Sequence, residues 1–90
     1  MNPEAFWWSV VDVCKHIYFK HGHGIAIPSD PEPDPLRVFD EVDVAHNPFR
    51  FTVYIMWLRQ QPGAFDWFCC LLAQHEELVR DTMKKLNSYL

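Results

Sequence analysis

Histidines and cysteines are the residues of this sequence with the clearest capacity for chemistry. Cys14 and His16 are followed by His21 and His23, and thiolates and imidazoles are the ligands that zinc prefers. On a regular helix, however, Cys14 and His16 point about 200° apart, so they cannot face one ion. The sequence also contains no C-x-x-C or H-x-x-x-H pair. We therefore predict no metal and no cofactor. A small metal-binding regulator that uses Cys14 and these histidines is the alternative.

A cysteine nucleophile would need a neighbouring base to activate it. His75 follows Cys69 by six positions, which places it about 120° away around a helix. His75 falls instead on an apolar stripe with Leu72 and Val79, and this position predicts a histidine in the core. We therefore expect that the protein is not an enzyme. An enzyme with a site formed by His75 and Cys69 or Cys70 is the third hypothesis.

Acidic residues are concentrated between positions 30 and 43, where Arg37 is the only basic residue. They are Asp30, Glu32, Asp34, Asp40, Glu41 and Asp43. Exposed carboxylates steer association with basic surfaces, including grooves that otherwise hold nucleic acid. A solvated surface that keeps the protein soluble explains the same charges equally well.

Aromatic residues are the second candidate for contact with a partner. They make up 16% of the chain, including four Trp and seven Phe, and large aromatics dominate interfaces as well as cores. Trp8 and Phe19 fall outside the inward stripe of the first predicted helix, and Trp67 falls outside that of the last. We predict that these three side chains contact another protein.

The elements that position these residues are predicted to be helices over 3–20, 35–43, 48–61 and 64–88. Asn2-Pro3, Asp34-Pro35 and Asn47-Pro48 each place an N-cap acceptor before proline at the first helical position. Several prolines and a glycine predict an acidic loop over 22–34. The expected fold is one all-α domain, a compact bundle of three larger helices and a short one.

The segment from 36 to 57 leaves an alternative open. Every second residue is apolar at Phe49, Phe51, Val53, Ile55 and Trp57, as in a strand. An α+β fold with a hairpin over 36–57 would follow. Asn47-Pro48 and Pro62-Gly63 bracket the segment at helical length and favour the helix.

Charge and length exclude several classes of function. The 90 residues carry a net charge of −4, which disfavours binding to nucleic acid or to an anionic membrane surface. The longest apolar run, Val53 to Leu58, is far shorter than the roughly 20 residues of a membrane span. Without a secretory signal, three cysteines predict reduced thiols and a cytoplasmic location.

The apolar supply, 49% of the residues, exceeds what one small core needs. We therefore expect a homodimer and a non-enzymatic protein–protein interaction module. In size and acidic composition the chain is similar to the small inhibitors that phages and mobile elements make against host machinery, such as anti-CRISPR proteins. That resemblance, which is one of character without a shared motif, implies an inhibitor or regulator of another protein.

Overall fold

A computed structural model describes residues 2–21, 39 and 48–90 of the chain. They form three helices: α1 (Pro3–His21), α2 (Pro48–Leu58) and α3 (Ala64–Asn87). No strand is present in these ranges, so the all-α prediction is confirmed for them. The predicted helix over 35–43 and the proline-rich loop lie outside the described residues, apart from Phe39, and stay predictions.

The start of α1 is capped as its sequence predicts. The side-chain oxygen of Asn2 accepts hydrogen bonds from the backbone N–H groups of Glu4 and Ala5, at 3.0 and 3.4 Å. The backbone carbonyl of Asn2 accepts the N–H of Phe6 at 3.0 Å. Pro3 occupies the first helical position, where its missing N–H has no intrahelical partner to lose. The cap therefore satisfies donors that would otherwise be left to water.

Helix α1 packs against both other helices and contributes one continuous face to the core. The residues of that face are Trp7, Val10, Val11, Val13, Cys14 and Ile17. The same core cluster includes Phe51 and Ile55 of α2 and Phe68 of α3, all fully buried. Because α1 is covered on this side, its remaining face is the one that meets solvent.

Helix α2 resolves the choice between helix and strand. In the segment where apolar residues alternate, side chains at both odd and even positions are buried. Phe51 and Ile55 are buried at odd positions, and Thr52 and Tyr54 at even positions. Because residues 48–58 form a helix, the hairpin over 36–57 is wrong for residues 48–57. The hydroxyl of Thr52 donates to the carbonyl of Phe49 at 2.9 Å, so its burial leaves no polar group unsatisfied. The helix ends at Leu58 and not at the predicted position 61, and residues 59–63 form the turns that follow it.

Helix α3 runs from Ala64 to Asn87 with one interruption. The backbone at His75 leaves helical geometry, with φ −138° and ψ 43°, and kinks the helix there. His75 is half-buried. The prediction that it lies in the core is therefore met only in part, since the kink interrupts the regular helix on which the stripe depends.

The turn into α3 depends on a glycine. Gly63 has φ 76°, in the left-handed region that costs other residues about 1–2 kcal/mol. Nothing would contact a Cβ placed there within 4 Å, so only the backbone resists substitution. We expect Gly63→Ala to lower the free energy of unfolding by about 1 kcal/mol. Gly63→Asn should lose less, because asparagine tolerates this conformation better. Chemical denaturation measures both, and equal losses would contradict the backbone explanation.

Candidate protein-binding surface

The outer face of α1 exposes two large aromatic side chains. Trp8 and Phe19 are 56% and 52% exposed, the largest exposures among aromatic residues in the described part of the chain. They are eleven positions apart, which returns a helix to within about 20° of the same direction. Both rings therefore lie on one face, about 16 Å apart along the axis. Their exposure agrees with their place outside the inward stripe; binding by them stays a prediction.

Two exposed charges of opposite sign lie between the rings. Asp12 and Lys15 occupy the same face, so that the four residues fall within an arc of about 60°. We call Trp8, Asp12, Lys15 and Phe19 the α1 seam. Their spacing of four, three and four positions is the one that lets a helix keep a single face against a partner helix. This spacing can be seen in the sequence, but the contact surface on α1 was predicted from the aromatic residues alone.

Two shallow depressions adjoin the carboxyl half of the seam. One, of about 490 Å³, is lined by Asp12, Lys15, His16, Phe19 and Lys20. The other, of about 450 Å³, shares Asp12, His16 and Lys20 and extends to Leu90, which is itself exposed. The Lys20 ammonium donates to the carbonyl oxygen of Leu90 at 3.4 Å. An aromatic ring of a partner would find both apolar surface and charge beside Phe19.

Helix α1, which carries the seam, contacts α3 through aromatic residues near the amino end of the seam. Phe6 stacks on Phe68 of α3 with ring centroids 5.8 Å apart. The Arg80 guanidinium lies 5.6 Å from the Phe6 ring and pairs with Glu76 at 3.2 Å, as the i,i+4 spacing predicts. Both charged side chains of this pair are exposed, so it adds little stability. The aromatic packing is what holds α1 against α3.

Trp67 differs from the other two predicted aromatic contacts. It is half-buried, and its ring lies 6.1 Å from that of buried Phe39, whose own ring is 4.9 Å from Phe51. Much of Trp67 therefore packs against the core. The other predicted contact residues, Asp30, Glu32, Asp34, Asp40, Glu41 and Asp43, lie outside the described residues.

The alternative metal site gains no support from the placement of its residues. Cys14 is fully buried, and burial raises the pKa of its thiol well above the usual value. His16 is exposed, and its Nδ1 lies 2.8 Å from the backbone oxygen of Asp12. No three metal-ligating side chains come together within 2–21, 39 and 48–90. His23 lies outside these ranges.

The two cysteines of α3 do not pair with His75, which follows them on the same helix. Cys69 is half-buried and Cys70 is exposed. In the described part of the chain, no hydrogen bond joins either thiol to His75. The hypothesis of a Cys–His enzyme therefore lacks the contact that would activate the nucleophile.

No family model matches the chain, and neither a curated protein nor a solved structure is detectably similar to it. None of the described helices combines the length and apolar character that crossing a membrane demands.

Proposed function

We propose that this protein is a non-enzymatic protein–protein interaction module whose contact surface includes the outer face of α1. The observation that supports this most is the exposure of Trp8 and Phe19 on one face of a helix. Tryptophan is enriched among residues that dominate binding energy, and paired exposed rings leave apolar surface for a partner to cover. Charged residues beside them provide the polar rim of such an interface.

A protein is a better partner for this face than a nucleic acid or a membrane. The α1 seam carries one charge of each sign, whereas a phosphate-binding face needs several cations. The whole chain is acidic, with a net charge of −4. Both nucleic acid and anionic lipid would be repelled at long range.

The regulatory part of the proposal rests on the acidic stretch. In this proposal the carboxylates from Asp30 to Asp43 dock on a basic surface of the target. They would speed association with that target, because exposed charges steer the encounter. A 10.7 kDa chain of this kind acts by occupying a surface that the target needs for another partner. This is the mode of action of a small cytoplasmic inhibitor or regulator, of the kind made by phages and mobile elements.

Photo-crosslinking from position 8 tests the proposal. We expect benzoylphenylalanine in place of Trp8 to form a protein adduct in the native host, because this ring would contact the partner directly. Phe19→Ala in the same chain should reduce the adduct at least about fivefold, since Phe19 contributes to the same interface. Gel analysis and mass spectrometry of the adduct give the readout.

The same photoreactive residue at Glu77, an exposed position of α3, is the matched control. Equal adducts from positions 8 and 77, or an adduct from position 8 that ignores Phe19→Ala, would contradict a specific surface on α1.

A further inference from the structure

We infer that the partner of the α1 seam is a second copy of this chain, packed antiparallel to the first across a two-fold axis. This inference rests on the proposed function and deepens it by naming the occupant of the seam. Closed two-fold pairs are the commonest oligomers, and their interfaces must be self-complementary. The α1 seam meets that requirement in its order of residues.

The order of the seam matches itself when one copy is reversed. In an antiparallel helix pair, facing residues have position numbers with a constant sum. With a sum of 27, Trp8 faces Phe19 of the second copy and Asp12 faces Lys15 of the second copy. Two-fold symmetry repeats each contact, which gives two aromatic contacts at the ends and two opposite-charge contacts in the middle.

A parallel arrangement of the same helices lacks this complementarity. It would place Asp12 on Asp12 and Lys15 on Lys15, and like charges across an interface are unfavourable. The charges of the seam therefore select orientation as well as partner. Polar residues at seam positions commonly act in this way, specifying register at a cost in stability.

The surface beside Phe19 has room for the second copy's tryptophan. The depression of about 490 Å³ lies at Lys15, His16 and Phe19, the level that Trp8 of the second copy reaches in this register. The tryptophan that is exposed in one chain would thus be covered by the other. The tryptophan at the symmetry-related site would be covered in the same way.

The interface built from this seam is small. Helix α1 has 19 residues, and a contact along one helix face falls at the low end of specific interfaces, below about 1,200 Å² in total. We therefore expect a dissociation constant on the order of micromolar.

Within one chain, Asp12 and Lys15 also stand at i,i+3 and could attract each other. A decisive test must separate this local attraction from pairing between copies. Reversing one charge in each of two separate variants distinguishes the two effects. Asp12→Lys and Lys15→Asp each remove the local attraction, and each places like charges across the homodimer twice.

We expect wild type to sediment as a dimer at tens of micromolar and each single variant to weaken dimerisation at least about tenfold. An equimolar mixture of the two variants should recover wild-type affinity, because both charge contacts then join opposite signs. At one contact the two introduced side chains face each other, and at the other the native Lys15 of the first variant faces the native Asp12 of the second. Sedimentation velocity with one variant fluorescently labelled measures this. Circular dichroism verifies that helix content is unchanged.

Glu77→Lys and Arg59→Asp make charge reversals of the same two kinds at exposed positions outside α1 and serve as controls; both should dimerise like wild type. A mixture that stays monomeric, or single variants that dimerise like wild type, would overturn the antiparallel register. A wild-type protein that stays monomeric at every concentration would contradict the inference that the partner is a second copy. The proposed function is tested separately by the adduct formed from position 8, because the mass of that adduct identifies a partner other than this chain.

Discussion

Phe68→Ala should lower the free energy of unfolding by about 3–5 kcal/mol, the largest effect that we expect from a single substitution. Phe68 is fully buried, with its ring centroid 4.9 Å from that of Trp7 and 5.8 Å from that of Phe6. Removing the ring loses its transfer free energy and leaves a cavity between α1 and α3. Since domains of this size have only about 5–15 kcal/mol in total, the variant should be marginally folded at 25 °C.

Phe19→Ala is the matched control because it removes the same atoms from an exposed position. It should change the free energy of unfolding by less than about 1 kcal/mol. Urea denaturation at sub-micromolar concentration keeps dimerisation from contributing to either value. Similar losses for the two variants would mean that Phe68 is not the centre of the contact between α1 and α3.

We expect the alkylation rates of the three thiols to differ by orders of magnitude. Cys14 is fully buried, so the reagent cannot reach its sulfur in the folded state. Burial also raises the pKa of the thiol, so the reactive thiolate does not form there. It can react only when the chain opens. We expect iodoacetamide at about pH 8 to label Cys14 at least about a thousandfold more slowly than exposed Cys70. Mass spectrometry of the peptide containing Cys14, and of the peptide containing Cys69 and Cys70, measures the rates.

The same protein in denaturant is the control for alkylation, and there all three thiols should react at similar rates. Fast labelling of Cys14 under native conditions would contradict the packing of α1. It would also restore Cys14 as a possible metal ligand, because a ligand must be reachable and deprotonated.

The candidate surface could be predicted from the sequence only in part. The period of 3.6 residues places Trp8 and Phe19 away from the core whatever else the chain does, because helix geometry is local. The same reasoning predicts Trp67 in the same group, but it packs beside Phe39, which is distant in sequence. A helical stripe cannot anticipate such a contact, since it depends on where another segment of the chain lies.

Features made by neighbours in the chain were determined by the sequence itself. The cap at Asn2, the ion pair of Glu76 with Arg80 and the start of α3 after Gly63 each involve groups within four residues of one another. Their geometry follows from backbone hydrogen bonding and from allowed φ and ψ, which nearby residues control. No distant contact is needed to specify them.

The tertiary structure decided the features that depend on packing between helices. Residues 48–58 suit a strand or a helix by pattern, and the burial of Phe51 and Tyr54 comes from packing against distant parts of the chain, which include α1 and Phe39. The half-burial of His75 at the kink likewise has no local signature. Burial and desolvation are set by atoms that come from other parts of the chain, and a linear pattern does not contain their positions.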